Sequence, residues 1–141
     1  MIDAIYGFLQ GLGYGHPLHP PLTHLPMGLV IASFVFAVLS LLISQRALLQ
    51  TAYHCTVLAL LALVPTAVTG LMDWAYRYGS SMDSFILAKM VLAPLLFVVL
   101  LVALWQYRAG ASPGRMLLLY AIASACAAGL GFSGGELVYG G

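Results

Sequence analysis

Four long apolar segments, with most of the charged residues at or near their ends, constrain this chain more than any other feature of its sequence. They lie at residues 23–45, 49–77, 84–108 and 114–136. A helix needs about 20 apolar residues to cross the hydrocarbon core of a bilayer, and each segment is long enough. The sequence therefore predicts an all-α fold, an integral membrane four-helix bundle. We expect residues 1–141 to form a single domain.

The composition supports this prediction and excludes several classes of protein. Hydrophobic residues make up 62% of the chain, charged residues only 6%, and the mean hydropathy is +1.02. Such a chain has too little polar surface to cover a soluble globule. With a formal net charge of +1 and no basic patch, nucleic acid is not an expected partner. The sequence shows no nucleophile–base arrangement and no phosphate loop, so soluble-enzyme chemistry is not supported.

The N-terminal stretch, residues 1–15, carries a weaker apolar pattern than the four long segments. Its apolar residues recur at helical spacing, as Ile2, Ile5, Phe8, Leu9 and Leu12 show. The stretch lacks the basic n-region and the small-residue cleavage site of a signal peptide. We therefore expect a short helix that lies in the membrane interface; the alternative is a frayed N-terminal tail.

The arginines near the segment ends predict the orientation in the membrane. Arg46, Arg108 and Arg115 lie in or beside the first and third breaks, which are on one side of the bilayer. Basic residues near segment ends favour the cytoplasmic side. The other side holds all four acidic residues, Asp3, Asp73, Asp83 and Glu136. We therefore expect a multi-pass protein of a bacterial inner membrane, with both termini on the periplasmic side.

Three of the four histidines are gathered in GHPLHPPLTHLPMG, residues 15–28. His16, His19 and His24 could supply ligands to one metal ion, with His19 and His24 as the preferred pair, because neutral imidazole is the commonest metal ligand. One of them could equally be an axial ligand of a haem. The third alternative is that the rings only anchor the chain in the interface.

The prolines of the same stretch predict where the first long helix begins. Pro17, Pro20 and Pro21 lack a backbone N–H, so residues 16–21 are not expected to be regular helix. Thr23 is a good N-cap residue, which places the start of the helix there. On this interpretation His16 and His19 lie on a stiff extended segment and His24 in the first helical turn.

Lysine is rare inside membranes, and Lys89 lies about a turn and a half inside the third segment. Such residues usually face a partner or a cavity, although the side chain could also extend back to the interface. Asp73 and Glu136 end the second and fourth segments on the same side. Either could pair with Lys89, or accept a hydrogen bond from a ligating histidine.

The fourth histidine, His54, is predicted to lie near the cytoplasmic end of the second segment. At 1.5 Å per helical residue it should be about 20 Å or more from His24. The two therefore cannot bind one metal ion or one haem iron. His54 either serves a second site near the cytoplasmic face or, the preferred interpretation, is an interface residue.

The fourth segment contains a run of small residues, AIASACAAGLGFSGG at 121–135. One interpretation is close helix packing through small side chains. The other is a flat wall on which a porphyrin or quinone ring could lie. The sequence leaves both open.

Three stretches resemble the domain of unknown function 2231 family of small membrane proteins. They are HPLHPPLTHLPMGL at 16–29, TAYHCTVLALLALVPTAVTGLMDW at 51–74 and GLGFSGGELVY at 129–139. Members of this family often occur beside Rieske-type iron–sulfur domains or other redox proteins. The resemblance thus implies an electron-transfer or quinone-linked setting, and it supplies no catalytic residues.

One departure from the family's pattern concerns the third segment. Many members have a histidine roughly where this chain has ILAKMVLAP, residues 86–94. Lys89 or Met90 occupies that region here. Met90 could act as a soft axial ligand of haem iron, and Lys89 could bind a haem propionate or a quinone oxygen.

These observations predict a membrane subunit of an electron-transfer complex more readily than a stand-alone enzyme. It would bind a b-type haem or a quinone near the periplasmic face and exchange electrons with an iron–sulfur or cytochrome partner. The candidate cofactor-binding residues are His16, His19, His24, Asp73, Lys89, Met90 and Glu136. The alternatives are a non-redox anchor or assembly subunit and, third, a divalent-metal site used in transport.

Overall fold

The computed structural model describes residues 2–77 and 82–139. This part of the chain forms five helices and contains no strand: α1 (Ile2–Gly11), α2 (His19–Leu42), α3 (Arg46–Arg77), α4 (Ser84–Arg108) and α5 (Pro113–Tyr139). Helices α2 to α5 are each long and apolar enough to cross a membrane. The predicted all-α membrane bundle of four helices is confirmed.

The four long helices pack in a ring. The largest interfaces join α2 to α3 and α4 to α5, α2 also packs against α5, and the interface between α3 and α4 is smaller. The short helix α1 packs against α3. We call the end where α2 and α4 begin the histidine end, and the opposite end, with Arg46, Arg108 and Arg115, the arginine end.

The small residues of α5 lie at helix interfaces. Ala123, Cys126 and Ala127 are buried in a cluster with Val30 of α2 and Leu96 of α4. This close approach favours the packing interpretation of the small-residue run.

Two glycines of α5 show how close this approach is. A Cβ on Gly129 would lie 2.9 Å from the Cδ1 of Leu92, and one on Gly131 would lie 2.6 Å from the Cε of Met27. Small residues let helix backbones approach each other closely in membranes. Large apolar side chains instead point outward, among them Leu58, Leu61, Val91, Trp105 and Leu118.

The predicted helix bounds are accurate for the third segment and need correction elsewhere. Helix α4 has the predicted bounds, 84–108, whereas α3 begins three residues earlier than 49 and α5 extends beyond 136. The start of α2 is the clearest error, because the helix begins at His19 and not at Thr23. Pro20 and Pro21 occupy its first turn, where a missing N–H has no intrahelical acceptor to lose.

A buried polar contact joins α2 to α3 below the histidine end. The hydroxyl of Ser33 lies 3.1 Å from the carbonyl oxygen of Ala52 and 3.2 Å from the hydroxyl of Thr56. It also reaches the carbonyl of Leu29 in its own helix, at 3.0 Å. Ser124 of α5 provides a contrast, because its buried hydroxyl has no hydrogen-bond partner among the described residues.

These two serines give a matched test of polar contacts in the bundle. Ser33→Ala removes the contacts between α2 and α3, and we expect the free energy of unfolding to fall by about 0.6 kcal/mol, a typical value for such bonds in membranes. Ser124→Ala removes an unpartnered hydroxyl and should leave stability unchanged or raise it. Thermal unfolding in detergent compares the two variants. Equal losses of stability would contradict the role of the Ser33 hydroxyl in joining α2 to α3.

Candidate functional site

The carboxylate of Asp73 caps helix α2 from a distant part of the chain. Its side chain is only 4% exposed. One oxygen accepts a hydrogen bond from the backbone N–H of His19 at 2.7 Å, and the other accepts one from Leu18 at 3.3 Å. The first turn of a helix leaves its N–H groups without partners. Because Pro20 and Pro21 have none, Asp73 satisfies the two that remain.

The same carboxylate fixes helix α1 through Tyr6. The hydroxyl of Tyr6 donates a hydrogen bond to Asp73, and the tyrosine ring is 2% exposed. The ring stacks on Tyr76 at a centroid separation of 4.2 Å, and the guanidinium of Arg77 lies 5.9 Å from its centre. Burial and the hydrogen bond to Asp73 raise the pKa of Tyr6 above its ordinary value. The hydroxyl is therefore held protonated as a donor.

A further contact ties the segment between α1 and α2 to the end of α3. The Arg77 guanidinium donates a hydrogen bond of 2.7 Å to the carbonyl oxygen of Gly15. Arg77 and Asp73 together hold the segment that leads into α2 against α3. The geometry of His19 therefore depends on α3 as much as on its own helix.

The imidazole of His19 is half-buried and held by one of its two nitrogens. Its Nδ1 donates to the carbonyl oxygen of Thr66 at 2.8 Å, and the hydroxyl of Thr66 in turn donates to the carbonyl of Ala62. Because Nδ1 carries the proton, the Nε2 of the neutral ring presents a lone pair. Nε2 has no hydrogen-bond partner within the described residues. A histidine that ligates a metal usually makes this second bond to a carbonyl or carboxylate.

Gly70 provides the space that the ring occupies. A Cβ at this position would lie 2.9 Å from Nδ1 and 3.0 Å from Cε1 of His19. Real Cβ atoms do not approach other heavy atoms so closely, so any larger residue would displace the ring. Gly70 is the position of α3 that allows the bond between His19 and Thr66.

The ammonium group of Lys89 lies beside this site on α4. The side chain is half-buried, and Nζ lies 3.6 Å from the position that a Cβ on Gly134 of α5 would take. Lys89 interacts electrostatically with both Asp73 and His19. It makes no direct hydrogen bond or ion pair with any described residue. The histidine end thus contains a lysine whose donors are not used by any described residue.

The other histidines do not join His19. His24 is exposed, and its Nδ1 donates to the carbonyl of Pro20 at 2.9 Å in the first turn of α2. His16 is exposed and lies edge-on to Tyr14. No group of three His, Cys, Asp or Glu side chains within residues 2–77 and 82–139 is arranged to hold a metal ion.

His54 lies at the other end of the bundle, exposed and next to Tyr53. It precedes Thr66, which contacts His19, by twelve positions of α3, or about 18 Å along the helix axis. The geometry therefore keeps His54 away from the site, as the argument from depth predicts.

The other residues singled out from the sequence, Met90, Glu136 and Asp83, lie on or directly before α4 and α5. Met90 and Glu136 are half-buried on α4 and α5, and no ion pair of Glu136 is found with a described residue. Asp83 caps α4, because its carboxylate accepts the N–H of Phe85 at 2.6 Å. Asp73 is close to His19 as predicted, but its oxygens bind the backbone and not the imidazole.

Sequence reasoning missed three residues of the site: Tyr6, Thr66 and Gly70. Thr66 acts through its backbone carbonyl, which any residue type has, so no sequence signal marks it. The glycine at position 70, one helical turn after Thr66, is the one sequence feature that could have indicated space for a large ring beside α3. Tyr6 could have been suspected as a polar tip in an apolar helix.

The comparison with known proteins identifies the class. The family described as "Predicted membrane protein (DUF2231)" matches residues 15–141. The chain therefore belongs to this family of membrane proteins. No curated protein and no solved structure matches it. The matched region contains His19, Asp73 and Lys89, whereas α1 with Tyr6 precedes it.

The role of Asp73 gives a direct prediction. Asp73→Asn replaces an acceptor of three hydrogen bonds with an amide whose NH₂ faces backbone donors, and we expect a loss of about 1–3 kcal/mol of stability. Amide hydrogen exchange should become faster in α1 and at Leu18 and His19, with α4 unaffected. Asp3→Asn is the control, because Asp3 is exposed at the same end. Unchanged exchange in Asp73→Asn would contradict the capping role.

The raised pKa of Tyr6 predicts that alkaline pH weakens the docking of α1. Tyrosine in the unfolded chain ionises near pH 10, whereas the docked residue retains its proton to higher pH. The stabilisation is therefore complete below about pH 10 and declines as pH rises further. Thermal unfolding between pH 8 and 11 should show a steeper decline for the wild type than for Tyr6→Phe. The same pH dependence in the wild type and in Tyr6→Phe would contradict the hydrogen bond between Tyr6 and Asp73.

Proposed function

We propose that this protein is a membrane subunit of an electron-transfer complex, and that its histidine end binds the headgroup of a quinone. We place this end at the periplasmic face of a bacterial inner membrane. The support is the distribution of charge, because Arg46, Arg108 and Arg115 all lie at the opposite end, where positive residues favour the cytoplasm. The electron acceptor in this proposal is an iron–sulfur or cytochrome protein.

The observation that carries the proposal is that Nε2 of His19 and the neighbouring ammonium group of Lys89 both lack a hydrogen-bond partner among the described residues. A quinol hydroxyl can donate to the lone pair of Nε2, and the ammonium group of Lys89 can donate to the second oxygen of the ring. A base within hydrogen-bond reach of the proton it removes is what general-base catalysis requires. The bond from Nδ1 to Thr66 supports this role, because it fixes the tautomer.

The proposed reaction is the oxidation of the quinol to the quinone. The quinol releases two protons and two electrons. Nε2 of His19 takes one proton as the hydroxyl is oxidised, and the second passes to water at the histidine end. The two electrons leave one at a time to the metal centre of the partner protein. Lys89 stabilises the negative charge that develops on the second oxygen.

A b-type haem is the second candidate, and the same free Nε2 favours it. His19 would supply one axial ligand and Lys89 would pair with a propionate. Met90 is then the candidate for the other axial position, since His16 and His24 are exposed and do not join His19. The quinone fits more simply, because it uses His19 and Lys89 without a second ligand.

Binding of a short-chain quinol to the protein in lipid nanodiscs tests the proposal. We expect saturable binding, weakened about fivefold or more by His19→Gln and about tenfold by Lys89→Met, since bonds to charged groups contribute more. Gly70→Ala should weaken binding by displacing the imidazole. His24→Gln and Gly28→Ala are matched controls, because His24 is exposed and a Cβ on Gly28 meets no atom within 4 Å.

Optical spectra separate the remaining functions. Soret and sharp alpha bands in the reduced protein, lost in His19→Ala, would replace the quinone with haem. Saturable binding of Zn²⁺ that depends on His19 and His24 would favour the divalent-metal site. A featureless spectrum without quinol or metal binding would favour the non-redox anchor or assembly subunit, and copurified subunits would then identify its complex.

A further inference from the structure

Two adjoining cavities open at the arginine end, the end of the bundle opposite His19. The first has a volume of about 350 Å³ and is lined by Arg46, Tyr107, Ser112 and Pro113, among others. The second, about 210 Å³, is lined by Ser40, Leu41, Ser44, Arg46 and Pro113. Arg46 and Pro113 belong to both walls. The volume of the first cavity lies in the lower part of the range found for small-molecule pockets, about 300–1,000 Å³.

The charge around these cavities is positive and uncompensated. Arg108 donates to the hydroxyl of Tyr53 at 3.0 Å, and Arg115 reaches the side chain of Gln106 at 3.5 Å. Arg46 has no such partner among the described residues. No carboxylate is available at this end either, because all four acidic residues of the chain lie towards the histidine end. An anion is therefore the complementary ligand.

A hydroxyl on the wall of the second cavity points to the rest of the ligand. Ser40 is 5% exposed, lines the second cavity and has no hydrogen-bond partner within the described part of the chain. The hydroxyl of Ser33 in the same helix is hydrogen-bonded within the protein, whereas that of Ser40 is open to the second cavity. A ligand with hydroxyl groups in the second cavity would satisfy Ser40.

The cavities also lie where a lipid headgroup would be. They are formed around the loops 43–45 and 109–112, each of which joins two helices long enough to span the membrane. Leu41 lines the second cavity and is 42% exposed on the apolar outer surface of α2. The second cavity thus borders the surface that acyl chains cover.

We propose that the arginine end binds an anionic glycerophospholipid of the phosphatidylglycerol type. Its phosphate lies at Arg46 between the two cavities, because a guanidinium binds phosphate through paired hydrogen bonds. Its glycerol hydroxyls lie in the second cavity at Ser40, and its acyl chains follow α2 beside Leu41. Basic pockets between membrane helices are known to hold anionic headgroups. This site is separate from the proposed quinone site.

Thermal unfolding of the purified protein in neutral detergent, titrated with phosphatidylglycerol, tests the proposal. The wild type should be stabilised saturably, and phosphatidylcholine should have no such effect. Arg46→Gln should weaken the binding about tenfold, the loss expected for a hydrogen-bonded charge. Arg115→Gln is the matched control, because it removes the same charge at the same end without lining either cavity. It should retain affinity within about threefold.

Two further measurements separate the parts of the proposal. Ser40→Ala should weaken the binding of phosphatidylglycerol but not of phosphatidic acid, which has no glycerol headgroup.

Equal losses of affinity in Arg46→Gln and Arg115→Gln would overturn the site, because they would show only surface attraction. Equal stabilisation by phosphatidylcholine would overturn the preference for anions. Saturable binding of inorganic phosphate as tight as that of the lipid would show a free-anion site instead.

Discussion

A carboxylate in a buried position must accept hydrogen bonds, because its desolvation is otherwise too unfavourable. Asp73 meets this requirement with donors from two other parts of the chain: the Tyr6 hydroxyl of α1 and the backbone of Leu18 and His19 at the start of α2. One side chain near the end of α3 thus determines where α2 begins and where α1 lies. The remaining geometry of the histidine end follows from this contact.

The two ends of the bundle differ in chemistry for a structural reason. At the histidine end, backbone contacts to α3 fix the ring of His19 and leave Nε2 free, and α4 brings Lys89 beside it. At the arginine end the loops are short, no carboxylate is present, and Arg46 lies between two cavities. In both places a polar group with an unused hydrogen-bonding atom remains in an apolar chain. Such groups are the sites where binding is expected.

Sequence patterns were sufficient for the architecture and for part of the site. Helix α4 has the bounds 84–108 that hydropathy and flanking charge indicate, since Asp83 provides a local cap. The start of α2 was placed too late because Thr23 is a good local cap, whereas the actual cap comes from α3. The proximity of Asp73 and Lys89 to His19 was predicted from their depth in the membrane. Spacing alone suggests one ion shared by three histidines, but spacing does not report the directions of the rings.

The sequence by itself determined that this chain is a four-helix membrane protein, because only apolar helices of this length satisfy their backbone groups in a bilayer. It also determined which end carries three of the four histidines and all the acids, and which carries three of the four arginines. Only the tertiary structure decided that Asp73 binds the backbone, that Thr66 accepts the Nδ1 proton of His19, and that Gly70 gives the ring its space. The two hydrogen bonds each join a side chain to a backbone group about 50 positions away in the chain. Because nearly every residue offers a backbone N–H and a carbonyl, the sequence does not mark which one is the partner.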